Sequence, residues 1–269
     1  MENPKLIKRL SIIFVYLVIF SAVGFLLWYF ITPPATCTDR KQNQSETGID
    51  CGGPCSPCKA RVQNKDIKVQ ETAFASGGSN TFDVVAKISN PNDSQGASSF
   101  DYTFTLKDAQ EKTIATRQGT NFILPADTRY IAELGLDTGG LVPSSVDFSV
   151  SNYKWDTLGD LEKPQLNIFN KKLAPLPMGS GDEADGTVRN DSTYDLNKIS
   201  IIIVLRDQQG KIIGINTTQQ STVRASEERD FRVTWPYDLS GNPQSMEVDA
   251  QANIFDPSAF SNDGYSGAQ

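Results

Sequence analysis

The residues best placed to do chemistry in this chain are four cysteines, Cys37, Cys51, Cys55 and Cys58, spaced C-x13-C-x3-C-x2-C in the segment CTDRKQNQSETGIDCGGPCSPC. Three chemistries suit them. Oxidation to two disulfides is the expectation, and four cysteines allow three connectivities, all of which stay open. A segment this short cannot bury a useful core, so bridges would replace one. Gly52, Gly53, Pro54 and Pro57 allow the tight turns that bring Cys51, Cys55 and Cys58 together. Zinc is the second option, because the C-x2-C spacing of Cys55 and Cys58 suits it. Calcium is the third: Asp39, Asn43, Glu46 and Asp50 are oxygen ligands spread along a loop. The simpler account of those four residues is that they are polar turn formers. Disulfides without metal or cofactor are the reading adopted.

The chain has no histidine. That removes the commonest general base, the commonest zinc ligand and the usual Ser-His or Cys-His nucleophile pair. Catalysis by carboxylates alone, as in a glycosidase, stays open and would need two carboxylates flanking a cleft. Neither a nucleophile elbow nor a phosphate loop is present in the sequence. A non-enzymatic protein is expected, with an envelope enzyme or enzyme accessory as the alternative.

One segment sets the redox compartment for those cysteines. From Leu10 to Ile31 the chain runs without a charge. A helix of that length spans about 33 Å, enough for a hydrocarbon core of ~30 Å. Lys5, Lys8 and Arg9 precede it, Trp28 and Tyr29 sit at its far end, and Thr32, Pro33 and Pro34 follow. Basic flanks stay in the cytoplasm, so the remainder should lie outside, where disulfides persist. A cleavable signal peptide wants a shorter apolar core and a small-x-small site. Here Trp28, Tyr29, Phe30 and Ile31 are bulky, and Pro34, Ala35 and Thr36 before Cys37 do not resemble a lipobox. An uncleaved, single-pass signal anchor is expected.

The chain carries 25 Lys+Arg and 32 Asp+Glu, a net charge of −7; setting aside Glu2, Lys5, Lys8 and Arg9 leaves the remainder at −9. Such a surface repels nucleic acid and anionic lipid, so neither is an expected partner. The stretch Glu46 to Cys58 resembles a short cysteine-rich module of bacterial surface proteins, ETGVDCGG-x-C-x-x-C, with Ile49 in place of Val. The resemblance implies a surface or stalk setting, not a chemistry.

The rest of the chain repeats at a spacing of about 100 residues. Lys87-Ile88-Ser89-Asn90 answers Thr187-Val188-Arg189-Asn190, and Leu106-Lys107-Asp108 answers Leu205-Arg206-Asp207. Lys112 to Ala115 answers Lys211 to Gly214, and Trp155-Asp156 answers Phe255-Asp256. Phe82, Val84, Ala86 and Ile88 alternate with Asp83, Val85, Lys87 and Ser89; Tyr102, Phe104 and Leu106 alternate with Asp101, Thr103, Thr105 and Lys107. Period-two alternation predicts strands with the first set in a core and the second in solvent. Short strands at regular spacing, without cysteine, indicate two β-sandwiches lacking the antibody-type disulfide. The strand at Leu166 to Phe169 is assigned to the second unit, with the Pro- and Gly-rich stretch Ala174 to Gly181 as its long first loop.

Phe104-Thr105-Leu106-Lys107-Asp108 and Ile203-Val204-Leu205-Arg206-Asp207 resemble the motif of small Ig-like domains of the FxLYD type. Leu124 to Asp127 fits the loop that follows in that family, Val223 to Ser226 less closely, and the second unit lacks the motif's Phe and Tyr. The resemblance implies cell-envelope binding or structural domains without catalytic residues.

The two units differ on their outer faces. Ile202 and Val204 stand where the first unit has Thr103 and Thr105, and the stretch Ile199 to Leu205 is apolar apart from Ser200. Ile212 and Ile213 point to opposite faces of the next strand, so one points outward. A strand apolar on both sides is buried on both sides. Each side chain so buried is worth roughly 1.5–3 kcal/mol. Ile202, Val204, Ile212 and Ile213 are therefore the candidate interaction face. It would be covered by a loop, by the neighbouring domain, by a second copy in a homo-oligomer or by a foreign partner.

Sequons stand at Asn43, Asn92, Asn190 and Asn216, and Ser258 onward reads as mobile. The expected organisation is a mainly β protein. A cytoplasmic basic stub at 1–9 leads to a transmembrane helix at 10–31 and a cysteine-rich module at 35–60. Two tandem Ig-like antiparallel sandwiches follow at 66–158 and 164–257, then a disordered tail at 258–269. The expected function is binding, adhesion or structural assembly at the cell envelope, with an envelope protein or glycan as partner.

Overall fold

The computed structural model describes residues 4–31, 37–43, 45–58 and 64–261. The chain forms two compact units, Met1–Gln63 and Asn64–Gln269.

In the first unit, α1 (Pro4–Ile31) is one continuous helix with the apolar stretch Ile7–Phe30 long enough to cross a membrane. It begins ahead of the apolar run. Proline is favoured at a first helical position, and Lys5 to Arg9 contains no helix breaker, so the basic stub at 4–9 is helical rather than separate.

The second unit contains two six-stranded sandwiches. The first uses β1 (Lys68–Ser76), β2 (Thr81–Ser89), β3 (Gly96–Lys107), β4 (Thr113–Ile123), β5 (Thr128–Asp137) and β6 (Ser145–Asp156). The second uses β7 (Leu166–Pro175), β8 (Asp182–Asn190), β9 (Leu196–Arg206), β10 (Ile212–Val223), β11 (Glu228–Trp235) and β12 (Ser245–Gln251). The sheets of the first are ordered β1-β2-β5 and β4-β3-β6; those of the second are β7-β8-β11 and β10-β9-β12. Strand for strand these are the same antiparallel topology. Val84, Ala86, Ile88 and Ile131 pack against Phe100, Phe104 and Leu106 in the first core. Ala184, Val188, Phe231 and Val233 pack with Ile199, Ile201, Ile203 and Leu205 in the second.

The repeated motifs resolve into repeated devices. Asp108 Oδ1 accepts from the backbone N–H groups of Gln110 and Lys112, and Asp207 Oδ1 from those of Gln209 and Lys211. The aspartate of each Leu-x-Asp thus ties the turn that reverses the chain after the central strand. Asn90 Nδ2 donates to the carbonyls of Gln95 and Leu124; Asn190 Nδ2 donates to those of Tyr194 and Val223.

Three expectations change. The stretch Leu176 to Gly181 is a hairpin loop, since β7 runs on to Pro175 and pairs with β8. Phe255-Asp256 does not match Trp155-Asp156 in structure. β12 stops at Gln251, and Asp256 caps a short 3-10 turn at Pro257–Ala259. Residues 258–261 are held rather than mobile. The Phe260 ring meets Tyr194 edge-on, its carbonyl accepts from Asn197 Nδ2, and Ser261 N–H donates to Asp195 O. The remainder of the expected tail, 262–269, lies outside the described residues.

Candidate functional site

In the cysteine module the bridges are Cys37–Cys55 and Cys51–Cys58, and no free cysteine remains. The carboxylate of Glu46 lies beside the sulfurs of Cys37 and Cys55. Those sulfurs are bonded to each other, so they are not available as thiolate ligands for zinc. The four calcium candidates fall in one hydrogen-bonded network. Asp50 accepts from Arg40 N–H with both oxygens, at 3.1 and 3.0 Å. Buried Glu46 Oε2 accepts from the N–H groups of Asn43 and Asp50. Asp39 accepts from Lys41 N–H and from Asn43 Nδ2. These carboxylates fix the loop through its backbone donors, which a module without a core needs.

In the second unit, the outer face of β10-β9-β12 is closed by the first sandwich. Ile202, Val204, Ile212 and Ile215 are buried together with Ala75, Val85 and Tyr130, and Ala73, Ala132 and Leu134 pack at the margin. The outer face of β1-β2-β5 therefore lies on the outer face of β10-β9-β12. Of the four candidate face residues, Ile202, Val204 and Ile212 enter this shared cluster, whereas Ile213 turns into the second sandwich's own core. A register shift between Ile212 and Gly214 separates them.

The same docking corrects the reading of β2. Asp83 and Val85 were expected in solvent, yet they are 4% and 1% exposed, because the second sandwich covers that face. Burial pushes the Asp83 carboxyl above its usual range, against hydrogen bonds from Gly135 N–H and the Tyr237 hydroxyl.

A polar network rims the apolar contact. Arg206 Nε donates to Glu247 Oε1 at 2.5 Å, and its two terminal nitrogens donate to the carboxylate of Glu71 on the first sandwich. Glu247 Oε2 accepts from Lys87 Nζ at 3.2 Å and from the Tyr130 hydroxyl at 2.8 Å. Burial pushes the Glu247 carboxyl up, but the hydrogen bonds from Tyr130, Arg206 and Lys87 outweigh it and hold it at about 2. The hydrogen bonds from Arg206 likewise hold the Glu71 carboxyl below its usual range. Asp249 Oδ2 accepts from Tyr130 N–H at 2.7 Å, and burial raises its carboxyl.

Beyond the apolar contact the sandwiches diverge into a cleft of about 610 Å³. One wall offers Ser99, Thr120, Asn121 and Arg129, the other Lys198, Ser200, Thr217 and Gln251. Arg129 is 4% exposed and lies on the Phe122 ring, 3.9 Å from its centroid. Its Nη1 donates to Phe122 O at 2.5 Å, while its Nε is buried without a hydrogen-bond partner. Burial pushes the guanidinium down to about 10. Behind it a cavity of about 70 Å³ is lined by Asp127, Lys163, Asp249 and Gln251.

Sequence reasoning missed Arg129, Arg206, Glu71, Glu247 and Asp249. Their traces in the sequence are charges set beside apolar strand residues, such as Arg129 before Tyr130-Ile131 and Glu247 between Met246 and Val248. Of the four sequons, Asn92 and Asn190 spend their amide nitrogens on buried hydrogen bonds, to Lys65 O and to Tyr194 O and Val223 O. Neither can carry a sugar in the folded chain. Compared with known proteins, the chain matches no family model and no curated sequence.

Proposed function

We propose that this is a single-pass membrane protein, N-terminus in the cytoplasm, that presents two Ig-like domains outside for binding, adhesion or assembly at the cell envelope. The observation that carries the reading is the combination, in one chain, of an apolar helix with basic residues before it and two disulfides after it. Basic flanks are retained in the cytoplasm, and disulfides persist outside it. The FxLYD resemblance supports the envelope setting, and the acidic remainder of the chain favours a protein or glycan over nucleic acid.

The docked sandwiches also favour a presenting role over a hinged one. An apolar contact rimmed by ion pairs fixes the two domains at one angle, so their exposed faces are offered together. The enzyme alternative is less well served. The cleft carries a single carboxylate, Asp256, which is committed to capping its own turn. The second group of carboxylates, Asp127 and Asp249, lines a space of about 70 Å³, too small for a sugar ring.

The test uses intact cells. Added protease should digest the chain beyond Ile31, and non-reducing peptide mapping of the same material should yield the Cys37–Cys55 and Cys51–Cys58 pairs. Protection of the whole chain, or its release as a processed soluble form, would overturn the topology.

A further inference from the structure

Glu46 is the hub of the cysteine module, and its two oxygens stand in different surroundings. The residue is 7% exposed. Oε2 accepts from the N–H groups of Asn43 and Asp50, at 3.2 and 3.3 Å. Oε1 lies 3.1 Å from Cys55 Sγ. That sulfur is bonded to Cys37, so it carries no hydrogen to donate. A carboxylate oxygen of a buried residue thus faces an atom that cannot satisfy it, which costs stability. Reduction removes the cost. A Cys55 thiol at the same place has a hydrogen to give to Oε1. The reduced form therefore makes a hydrogen bond that the oxidised form lacks.

The second bridge is arranged the other way. The Thr47 hydroxyl lies 3.3 Å from Cys58 Sγ and donates to it while the bridge is closed. The backbone at Gly48 shields both of its sulfurs: a side chain there would stand 3.0 Å from Cys51 Sγ and 3.1 Å from Cys58 Sγ. Cys37, by contrast, is the more exposed end of its own bridge, open to an attacking thiolate. Loop size acts in the same direction. The bridges span sequence separations of 18 and 7. Loop-closure entropy disfavours the longer loop about fourfold against the shorter. The module has no core to offset that difference.

We propose that Cys37–Cys55 is a redox-operated clasp in the chain between α1 and the sandwiches, opened by a dithiol reductant while Cys51–Cys58 stays closed. One thiolate of the reductant attacks Cys37 Sγ and forms a mixed disulfide. The bond to Cys55 breaks, and Cys55 leaves with the electron pair, takes up a proton and donates it in a hydrogen bond to Glu46 Oε1. The second thiolate of the reductant then displaces Cys37, leaving two thiols in the module and a disulfide in the reductant. Closed, the clasp holds the Cα atoms of residues 37 and 55 at 5.6 Å. Open, the chain from 37 to 51 extends to about 48 Å, at ~3.4 Å per residue. The clasp thus sets the length of chain on which the sandwiches are carried.

The test equilibrates the full chain, in detergent, across a series of reduced-to-oxidised dithiothreitol ratios. Thiols are trapped by alkylation and located by mass spectrometry. Cys37–Cys55 should be half open at a ratio at least tenfold lower than Cys51–Cys58. Trypsin gives a second reading, since it cuts after Arg40 and Lys41. With the clasp closed, a cut there leaves the sandwiches joined to α1 through Cys37–Cys55. At the mild ratio they should come free. Glu46→Gln keeps an acceptor for Asn43 and Asp50 but turns an amide towards Cys55, so the gap between the bridges should shrink to the about fourfold of loop size. Bridges that open together, or Cys51–Cys58 opening first, would overturn the proposal. A gap unchanged in Glu46→Gln would remove Glu46 from it and overturn the mechanism given. The order of opening is read on the parent, so it decides even where the variant fails to form its bridges. All of this is measured in detergent, so its failure leaves the topology read on intact cells untouched.

Discussion

Arg206 of the second sandwich and Glu71 of the first meet fork to fork, Nη1 donating to Oε1 at 2.8 Å and Nη2 to Oε2 at 2.7 Å. The pair joins residues far apart in sequence and fixes the angle between the domains. The Arg206 side chain is 15% exposed, so solvent screens the pair only partly. Arg206→Ala leaves Glu71 and Glu247 without their shared cation. Charge-assisted hydrogen bonds of this kind are worth about 1.5–3 kcal/mol, and exposure of the carboxylates places the expected loss near about 2 kcal/mol. Urea unfolding of Arg206→Ala, Glu71→Ala and the double variant measures the coupling directly. A coupling energy near zero would reduce the pair to decoration.

The apolar contact it surrounds should be the stronger tie. Ile202→Asp places a carboxylate among Val204, Ile212, Val85 and Tyr130. An unpaired buried charge of this kind costs more than about 3 kcal/mol. The parent is expected to melt in one transition because the sandwiches share this cluster, and in the variant each sandwich should unfold at its own temperature or the second should fail to fold. A variant that melts like the parent and elutes at the same volume would show that the contact contributes nothing.

Acid should loosen the same seam. Glu247 is held at about 2, and Glu71 is lowered too, so their stabilisation is fully present above the usual glutamate range near 4.5. It fades as pH falls from there towards 2. Asp83 and Asp249 act in the opposite sense: their carboxyls are raised by burial, so their cost at neutral pH is relieved as they protonate. Glu247→Gln should therefore be less stable than the parent at pH 7, with the gap closing by about pH 2. Denaturation midpoints across that range give the answer. A gap independent of pH would assign the loss to packing instead of charge.

The duplicated asparagines make a matched pair of predictions. Asn90 and Asn190 each hold two carbonyls, and each Oδ1 accepts from the backbone two residues on, at Asn92 and Ser192. Replacing either by alanine strands those groups in buried surroundings at a cost of about 2–3 kcal/mol. Asn90→Ala should cost somewhat more than Asn190→Ala, because Asn90 Oδ1 also accepts from Asn92 Nδ2 at 2.8 Å, a bond that the second copy, with Ser192 at that place, lacks. A large effect at one site alone, read by urea unfolding, would show that the second copy has been relieved of it.

What the sequence determined by itself is what depends on near neighbours. The charge-free run from Leu10 to Ile31 makes its own helix because every backbone group is satisfied within the segment. The alternation around Phe104 and around Ile203 marks strands, because side-chain direction reverses at each residue. The doubling of Leu-x-Asp and of Asn90 with Asn190 marks a repeated unit. Even the unusual outer face showed itself, since Ile202 and Val204 replace threonines. What covers that face was decided only by tertiary structure, because nothing within β9 states that Val85, Ala75 and Tyr130 will lie against it. The same holds for Asp83, which alternation alone sends to solvent. The disulfide pairing also waited on the fold, since four cysteines in one short loop are compatible with three patterns. Arg129 and Gln251 are the extreme case. They are 122 residues apart and unremarkable in their own strands, and they share a cleft only because two copies of one sandwich docked face to face.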